Sequence, residues 1–194
     1  SCRLPGGDGL DQFWNLVRAG GTAWGPLPES RLNRQFYYHE ERGKVGKTYS
    51  DMGAIVAERP IDIGRCPIPD SWFDDFDVAH LIVCEVVSDA LRNAGYDPFQ
   101  LRERNVGVYI GHTGGSSRVA DIVYATCVPD MARILRDLPS LQGLGDSPQA
   151  IANAMVKRVR NRYPAPQAGV QPELSGVVAS ALVSRLFGLS GPHL

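Results

Sequence analysis

The stretch from Val78 to Ala94 limits the fold of this chain more than any other segment. Leu81, Ile82, Cys84, Val86, Val87, Ala90 and Leu91 set apolar side chains on most sides of a helix. A helix without a broad polar face has to be covered on more than one side. The pattern therefore predicts a helix buried between layers rather than one lying on a surface. Asp74, Asp75 and Asp77 precede it, where negative charge favours the positive end of the helix dipole. Gly95 suits the left-handed position that ends such a helix, and Pro98 stops its continuation. Next comes Asn105 to Gly111, in which Val106, Val108 and Ile110 alternate with Gly107 and Tyr109, the pattern of a short core strand. A buried helix feeding a buried strand argues for an α/β protein.

The remaining segments fit that frame. Leu10, Phe13, Trp14 and Val17 recur at helical spacing, with Asp8 as a capping candidate and Gly20 and Gly21 as the stop. From Thr22 to Pro69 the chain is rich in Gly, Pro and aromatics, with short extended stretches such as Ala54 to Val56. This suits a long, structured surface excursion. Three helical segments are expected further on: Met131 to Leu138, Pro148 to Arg160, and about Leu174 to Phe187, which closes at Gly188. Ser147 and Pro148 read as the N-cap and first residue of the second.

Composition removes several function classes. Of 194 residues, 43% are hydrophobic and 21% charged, enough for a core, and the formal net charge of −1 creates no strong field for nucleic acid or an anionic membrane. No apolar run reaches the roughly 18 residues of a membrane helix, and the longest candidate, Val78 to Val87, is broken by His80 and Glu85. Ser1 to Leu10 does not read as a signal peptide. Cys2, Cys66, Cys84 and Cys127 are widely spread without a CxxC pair, so reduced thiols are expected rather than disulfides or a zinc site. A cytoplasmic location, with no metal, membrane or nucleic-acid partner, is the expectation.

A set of short segments carries a resemblance. Cys2-Arg3-Leu4-Pro5-Gly6-Gly7 resembles the opening of β-ketoacyl synthase domains in polyketide synthases, and Phe13-Trp14-Asn15-Leu16-Val17 the helix that follows it. Gly46-Lys47-Thr48-Tyr49-Ser50 with Gly53, Glu85 to Pro98, and Val106 to Gly111 are similar to later segments of the same domains. Ser184-Arg185-Leu186-Phe187-Gly188-Leu189-Ser190-Gly191-Pro192 is similar to the run that approaches the family's nucleophile. They stand in family order along nearly the whole chain. Asp77-Val78-Ala79-His80-Leu81 departs from the family pattern, and Thr113 to Gly169 matches little of it, which suggests an iterative or enediyne-like branch.

The resemblance implies an α/β, thiolase-like fold with αβαβα layers, of which residues 1–194 would be the N-terminal part only, usually within a homodimer. It implies decarboxylative Claisen condensation of acyl and malonyl thioesters delivered by an acyl carrier protein. No cofactor would be bound directly, since the phosphopantetheine belongs to the carrier. In the family a nucleophilic cysteine follows the glycine-proline run within about ten residues, and two histidines come later. Leu194 lies two residues past Pro192, so no catalytic residue is expected here and the chain alone is expected to be inactive. Another reading is a non-catalytic homologue acting as a chain-length or scaffold subunit. With its partner half missing, the chain is expected to leave apolar helix faces uncovered, those of Val78 to Ala94 included, and to be marginally stable.

The candidate site is the glycine-rich loop after the predicted strand, where α/β proteins commonly present function. By resemblance, Gly111, His112, Thr113 and Gly114 line the acyl pocket; a simple loop hydrogen bond is the competing reading of His112. Cys127 is expected to be a partly buried structural thiol, Cys84 a core residue and Cys2 structural. His80 is expected to be a satisfied, half-buried side chain, and His39 to sit on a solvated loop. Gly46-Lys47-Thr48 lacks both the preceding strand and the earlier glycine of a phosphate loop, since position 41 is Glu. Lys157, Arg158, Arg160 and Arg162 complement a helix C-terminus, with docking of an acidic carrier protein as the functional alternative.

Overall fold

The computed structural model describes residues 1–63, 76–102, 104–113, 117–141, 147–162 and 177–194, and for 117–121 and 162 the backbone only. Cys66, Asp74, Asp75, Gly114 and Leu174 lie outside the described residues. The chain forms two compact units, Ser1–Gly64 with Glu85–Pro98, and Arg65–Cys84 with Phe99–Leu194.

The first unit begins with a tight hairpin, β1 (Arg3–Leu4) paired antiparallel with β2 (Gly7–Asp8). Pro5 and Gly6 form its turn, with Gly6 at a φ of 71°. Helix α1 (Leu10–Arg18) follows. Its cap is Gly9, with no side-chain hydrogen bond, and not Asp8 as expected. The Asp8 carboxylate is drawn elsewhere, onto Arg59, whose Nη2 donates to it at 3.0 Å. Strand β3 (Gly25–Pro26) pairs antiparallel with β4 (Met52–Gly53), and a short helix α2 (Arg34–Tyr37) lies between them in sequence. Arg34 holds that excursion closed by donating to Asp51 at 3.0 Å and to the Leu27 carbonyl at 2.7 Å. The Gly46–Ser50 segment is a structural turn. The Thr48 N–H donates to the Tyr37 carbonyl at 2.6 Å, and Lys47 donates to the Phe36 carbonyl, so neither faces a phosphate site.

Helix α3 (Val78–Asn93) forms where the sequence places it, but it is buried along one stripe only: of the apolar residues expected to be covered, Leu81 and Cys84 are buried, Ile82, Val86, Val87 and Leu91 are half-buried and Ala90 is exposed. Asp77 caps it, its carboxylate accepting from the Ala79 N–H at 2.8 Å. At its far end the Gly95 N–H donates to the Arg92 carbonyl and the Tyr96 N–H to the Leu91 carbonyl, both at 2.9 Å, the two-bond ending of a left-handed cap. Its buried stripe is more polar than the apolar pattern implies: His80, Leu81, Cys84, Glu85 and Ser88.

Glu85 organises the first unit. Its side chain is 3% exposed and accepts from Arg3 at 2.9 Å, from Arg59 at 2.6 Å and from the Asp62 N–H at 2.9 Å. Arg3, itself 4% exposed, also donates to the carbonyls of Ala57 and Arg59. The hairpin, the chain at 57–62 and the middle of α3 are thus tied by one ionic network centred on the buried Glu85. The Arg59 hydrogen bond holds the Asp8 carboxyl below its ordinary range.

In the second unit, the segment 104–110 carries one parallel bridge, Val108 to His193, rather than the full core strand expected. Of its alternating side chains only Val108 is buried, while Tyr109 is 69% exposed. Three long or medium helices follow: α4 (Ser117–Asp137), α5 (Pro148–Arg162) and α6 (Val177–Phe187). Helix α4 is far longer than the Met131–Leu138 expected, because it continues through Pro129. A proline removes one helical hydrogen bond and strains the preceding turn, yet Val128 beside it is buried and its covered stripe of Ile122, Ala125, Val128, Ala132 and Leu135 is continuous. That stripe packs along α5. Ser147 caps α5, its Oγ accepting from the Ala150 N–H at 3.2 Å.

Helix α6 is the core of this unit, with Val178, Ala179, Leu182, Val183, Leu186 and Phe187 buried. The Phe187 ring meets Phe99 at 5.5 Å. Gly188, at a φ of 64°, lets the Leu189 N–H reach back to the Ser184 carbonyl at 2.8 Å and ends the helix. The chain then runs beside 104–110. A Cβ on Gly191 would collide with the backbone of Val106 and come within 2.7 Å of the Gly107 nitrogen. Glycine is required there by contact.

The uncovered apolar surface lies mostly elsewhere than on α3, where it was expected. Leu10, Phe13, Trp14 and Val17 of α1 are all exposed, as are Val123, Tyr124, Met131 and Ile134 of α4. Helix α3 carries polar groups on its buried stripe and already has cover for it.

Candidate functional site

The last described strand segments decide where the site can be. The Val108 N–H donates to the Pro192 carbonyl at 2.9 Å, the Leu194 N–H to the Val108 carbonyl at 3.0 Å, and the Ile110 N–H to the Leu194 carbonyl at 3.0 Å. Residues 192–194 therefore run parallel to 106–110, joined to them through α4, α5 and α6, as parallel neighbours require. Both segments leave the pairing in the same direction. The loop at 111–113 follows one of them.

Gly111, His112 and Thr113 are exposed there, and Gly114 lies outside the described residues. Beneath the loop is a residue the sequence reading undervalued. His80, in the first turn of α3, is fully buried, not half-buried, and its ring meets that of His112 edge-on at 5.5 Å and 63°. Among the described residues neither ring nitrogen of His80 has a hydrogen-bond partner, so it is not the satisfied side chain expected. Burial holds its imidazole below the ordinary histidine value; nearby Asp77 opposes this and His112 adds to it. His80 is thus a neutral imidazole, able to donate through one nitrogen and accept through the other. The signal was present in the sequence: 80, 84 and 88 fall on one helix face, and a histidine on a buried stripe has to find a partner or bear the cost of burial.

Among the described residues, no cysteine contributes a nucleophile to this arrangement. Cys84 is fully buried one turn beyond His80, and burial pushes its thiol up to about 12. Cys127 is exposed in the middle of α4 rather than partly buried as expected. Cys2 is half-buried in the first unit. His39 is half-buried as well, its Nδ1 accepting from the Glu41 N–H at 3.0 Å. His193 is exposed beside the parallel bridge. Among the described residues no group of three or more His, Cys, Asp or Glu side chains could hold a metal ion, and no helix is long and apolar enough to cross a membrane.

The profile described as "Beta-ketoacyl synthase, N-terminal domain" matches residues 1–194. The chain belongs to that family. It is 29% identical over 194 residues to the phenolphthiocerol synthesis polyketide synthase type I Pks15/1 of Mycobacterium bovis, covering 98% of this chain and 7% of that protein. It is 32% identical over 119 residues to the highly reducing polyketide synthase poxF of Penicillium oxalicum, covering 57% of this chain and 4% of that one. It is also 22% identical over 191 residues to a polyunsaturated fatty acid synthase polypeptide of a Thraustochytrium species, covering 98% and 6%. This β-ketoacyl synthase segment therefore spans less than a tenth of the curated relatives it matches.

Family membership explains why distant segments look familiar. Arg3 of the opening motif and Glu85 of the buried-helix motif, 82 residues apart in sequence, are one ion pair. The terminal glycine-proline run is familiar because Gly188 turns the chain and Gly191 lets it lie against Val106.

Proposed function

We propose that this chain forms the N-terminal part of a condensing enzyme with a thiolase-like layered fold, joining acyl and malonyl thioesters by decarboxylative Claisen condensation. The observation that carries this is the parallel pairing of 192–194 with 106–110. It brings the loop at His112 to the same end as the run that, by resemblance, leads to the nucleophilic cysteine.

In this reading a cysteine thiolate beyond Leu194 attacks the acyl thioester, displaces the carrier thiol and becomes acylated. Loss of carbon dioxide from the malonyl thioester yields an enolate, which attacks the acyl-enzyme carbonyl. The products are a β-ketoacyl thioester and the freed thiolate. Gly111, His112, Thr113 and Gly114 line the acyl pocket, and His80 beneath them supplies a neutral imidazole to that wall. An acyl carrier protein with its phosphopantetheine arm delivers both substrates, and the full synthase works as a homodimer.

The test compares two proteins, this chain alone and the chain extended through the cysteine and histidines of its own gene. Carbon dioxide release and β-ketoacyl product are expected only from the extended protein. Product from residues 1–194 alone would overturn the assignment of the nucleophile. An extended protein with another residue at the cysteine position, and no turnover, would favour a non-catalytic chain-length or scaffold subunit.

A further inference from the structure

Most buried polar side chains among the described residues are bonded within the fold. Glu85 accepts from Arg3, Arg59 and the Asp62 N–H, and Asp77 from the Ala79 N–H. Ser88 donates to the Ile63 carbonyl at 3.3 Å and Ser180 to the Val177 carbonyl at 2.8 Å. The buried side-chain atoms left over are Arg3 Nε, the Ser184 hydroxyl and both nitrogens of His80. Arg3 is bonded through its other nitrogens, and a helical serine hydroxyl lies one rotation from the carbonyl a turn back. His80 is different. Neither nitrogen of its fully buried ring reaches a partner among the described residues.

The neighbours of that ring narrow what can meet its nitrogens. Cys84, one turn further along the buried stripe, is kept a neutral thiol by burial. The His112 ring, exposed on the loop, lies edge-on against His80 at 5.5 Å. Burial keeps the His80 imidazole neutral, with one nitrogen to donate and the other to accept. A carboxylate or phosphate brought here would place an uncompensated charge in a buried site that already has Asp77 nearby. A metal ion is poorly served, because no group of three ligating side chains stands here among the described residues. An uncharged oxygen fits. A keto oxygen accepts from the ring N–H, and a hydroxyl can also donate to the bare nitrogen.

We propose that His80 is a specificity residue that hydrogen-bonds a keto or hydroxyl oxygen carried along the acyl chain. The acyl chain comes from the condensing reading above, on which this inference rests. A chain lying on the loop reaches His80 by turning aside the His112 side chain that stands over it. A buried imidazole without a partner costs stability, and a substrate oxygen that supplies the partner offsets that cost on binding. A saturated chain of equal length leaves the ring unpaired, so the site disfavours it. Intermediates that keep an oxygen are thus selected over fully reduced ones. His80 also lies within Asp77–Leu81, where the sequence departs from the family pattern. The preference therefore belongs to this chain rather than to the family at large.

The test uses the full synthase and the N-acetylcysteamine thioesters of octanoate and of its 3-, 5- and 7-hydroxy derivatives. For each, kcat/KM of one extension with a malonyl thioester is measured. Binding is titrated separately with the matching amides, which cannot acylate a thiol. In the wild type at least one hydroxy thioester is expected to exceed octanoyl about tenfold in kcat/KM. A ratio near one at all three positions overturns the proposal, and this test needs no variant to fold. In His80→Leu the ratio is expected to fall to about one. In His80→Gln, which supplies a donor and an acceptor again, it is expected to recover in part. A ratio that survives in His80→Leu overturns the proposal, because a proportionate loss on every substrate marks the ring as structural. Should the wild type extend none of the thioesters yet bind a hydroxy amide more tightly than the octanoyl amide, with the difference lost in His80→Leu, the oxygen contact stands and the condensing reading falls. No turnover and no difference in binding overturns both.

Discussion

Two buried polar residues on helix α3 meet opposite fates. Glu85 has both carboxylate oxygens occupied, by Arg3 on one side and by Arg59 and the Asp62 N–H on the other. His80, five residues earlier, has a partner for neither ring nitrogen among the described residues. A fully satisfied buried charge is a structural clamp, and removing one member leaves the others to bear the full cost of burial. An unsatisfied buried imidazole costs stability rather than adding to it. The same helix therefore carries a fastener at its middle and an unpartnered histidine in its first turn.

That contrast can be broken most directly at the clamp. Glu85→Ala strands the buried Arg3 guanidinium and is expected to cost about 3–5 kcal/mol, read as a lower urea midpoint. A cost below about 1 kcal/mol would reduce the network to a surface ion pair. Next in size is Gly191→Ala, which forces a Cβ against the Val106 backbone. About 1–3 kcal/mol is expected, with loss of the pairing that supports the loop at His112, seen as faster amide exchange at Val108 and Ile110.

His80→Leu tests the other side. Replacing an unpartnered buried polar group by an apolar one is expected to shift stability by less than about 1 kcal/mol in either direction, while condensation by the full synthase falls. A large destabilisation would mean that His80 is a structural residue after all.

The pH dependence is smaller again and its sign is fixed. Because the folded imidazole is held below the ordinary value of 6.5, the unfolded chain binds a proton that the folded chain refuses. Its contribution is complete above about pH 6.5 and is lost as pH falls below it, with a slope of at most about 1.4 kcal/mol per pH unit. The His80→Leu variant should lack this component between pH 7 and 5. Smallest is Asp8→Asn. The Asp8 carboxyl is held below its ordinary value of 3.8, so its contribution is present above that pH and disappears as pH falls through the lower folded value. Partial exposure of both Asp8 and Arg59 keeps the expected cost under about 1 kcal/mol.

How much of this was legible before folding depends on the kind of signal. Helix α3, its glycine ending, the Ser147 cap and the Gly188 stop are local, and each has a residue type that only one backbone conformation suits. The loop at Gly111, His112 and Thr113 was legible too, as a glycine-rich segment after an alternating one. Helix α4 was not, because Pro129 reads as a break and only the continuous packing against α5 overrides it. Nor was Asp8, whose local role as a cap lost to a hydrogen bond with a residue 51 positions away. Cys127 was read as half-buried on residue type, but its place on the helix turns it outward.

Taken alone, the sequence determined the family, the order of its motifs and the position of one candidate loop, since those depend on residue types at fixed spacing. Tertiary structure decided what each motif is for. Only folding brings Arg3 to Glu85, sets 192–194 parallel to 106–110 and slides His80 beneath His112. Such contacts join residues far apart in the chain, and no local propensity encodes a pairing whose energy comes from burial and from a partner supplied elsewhere.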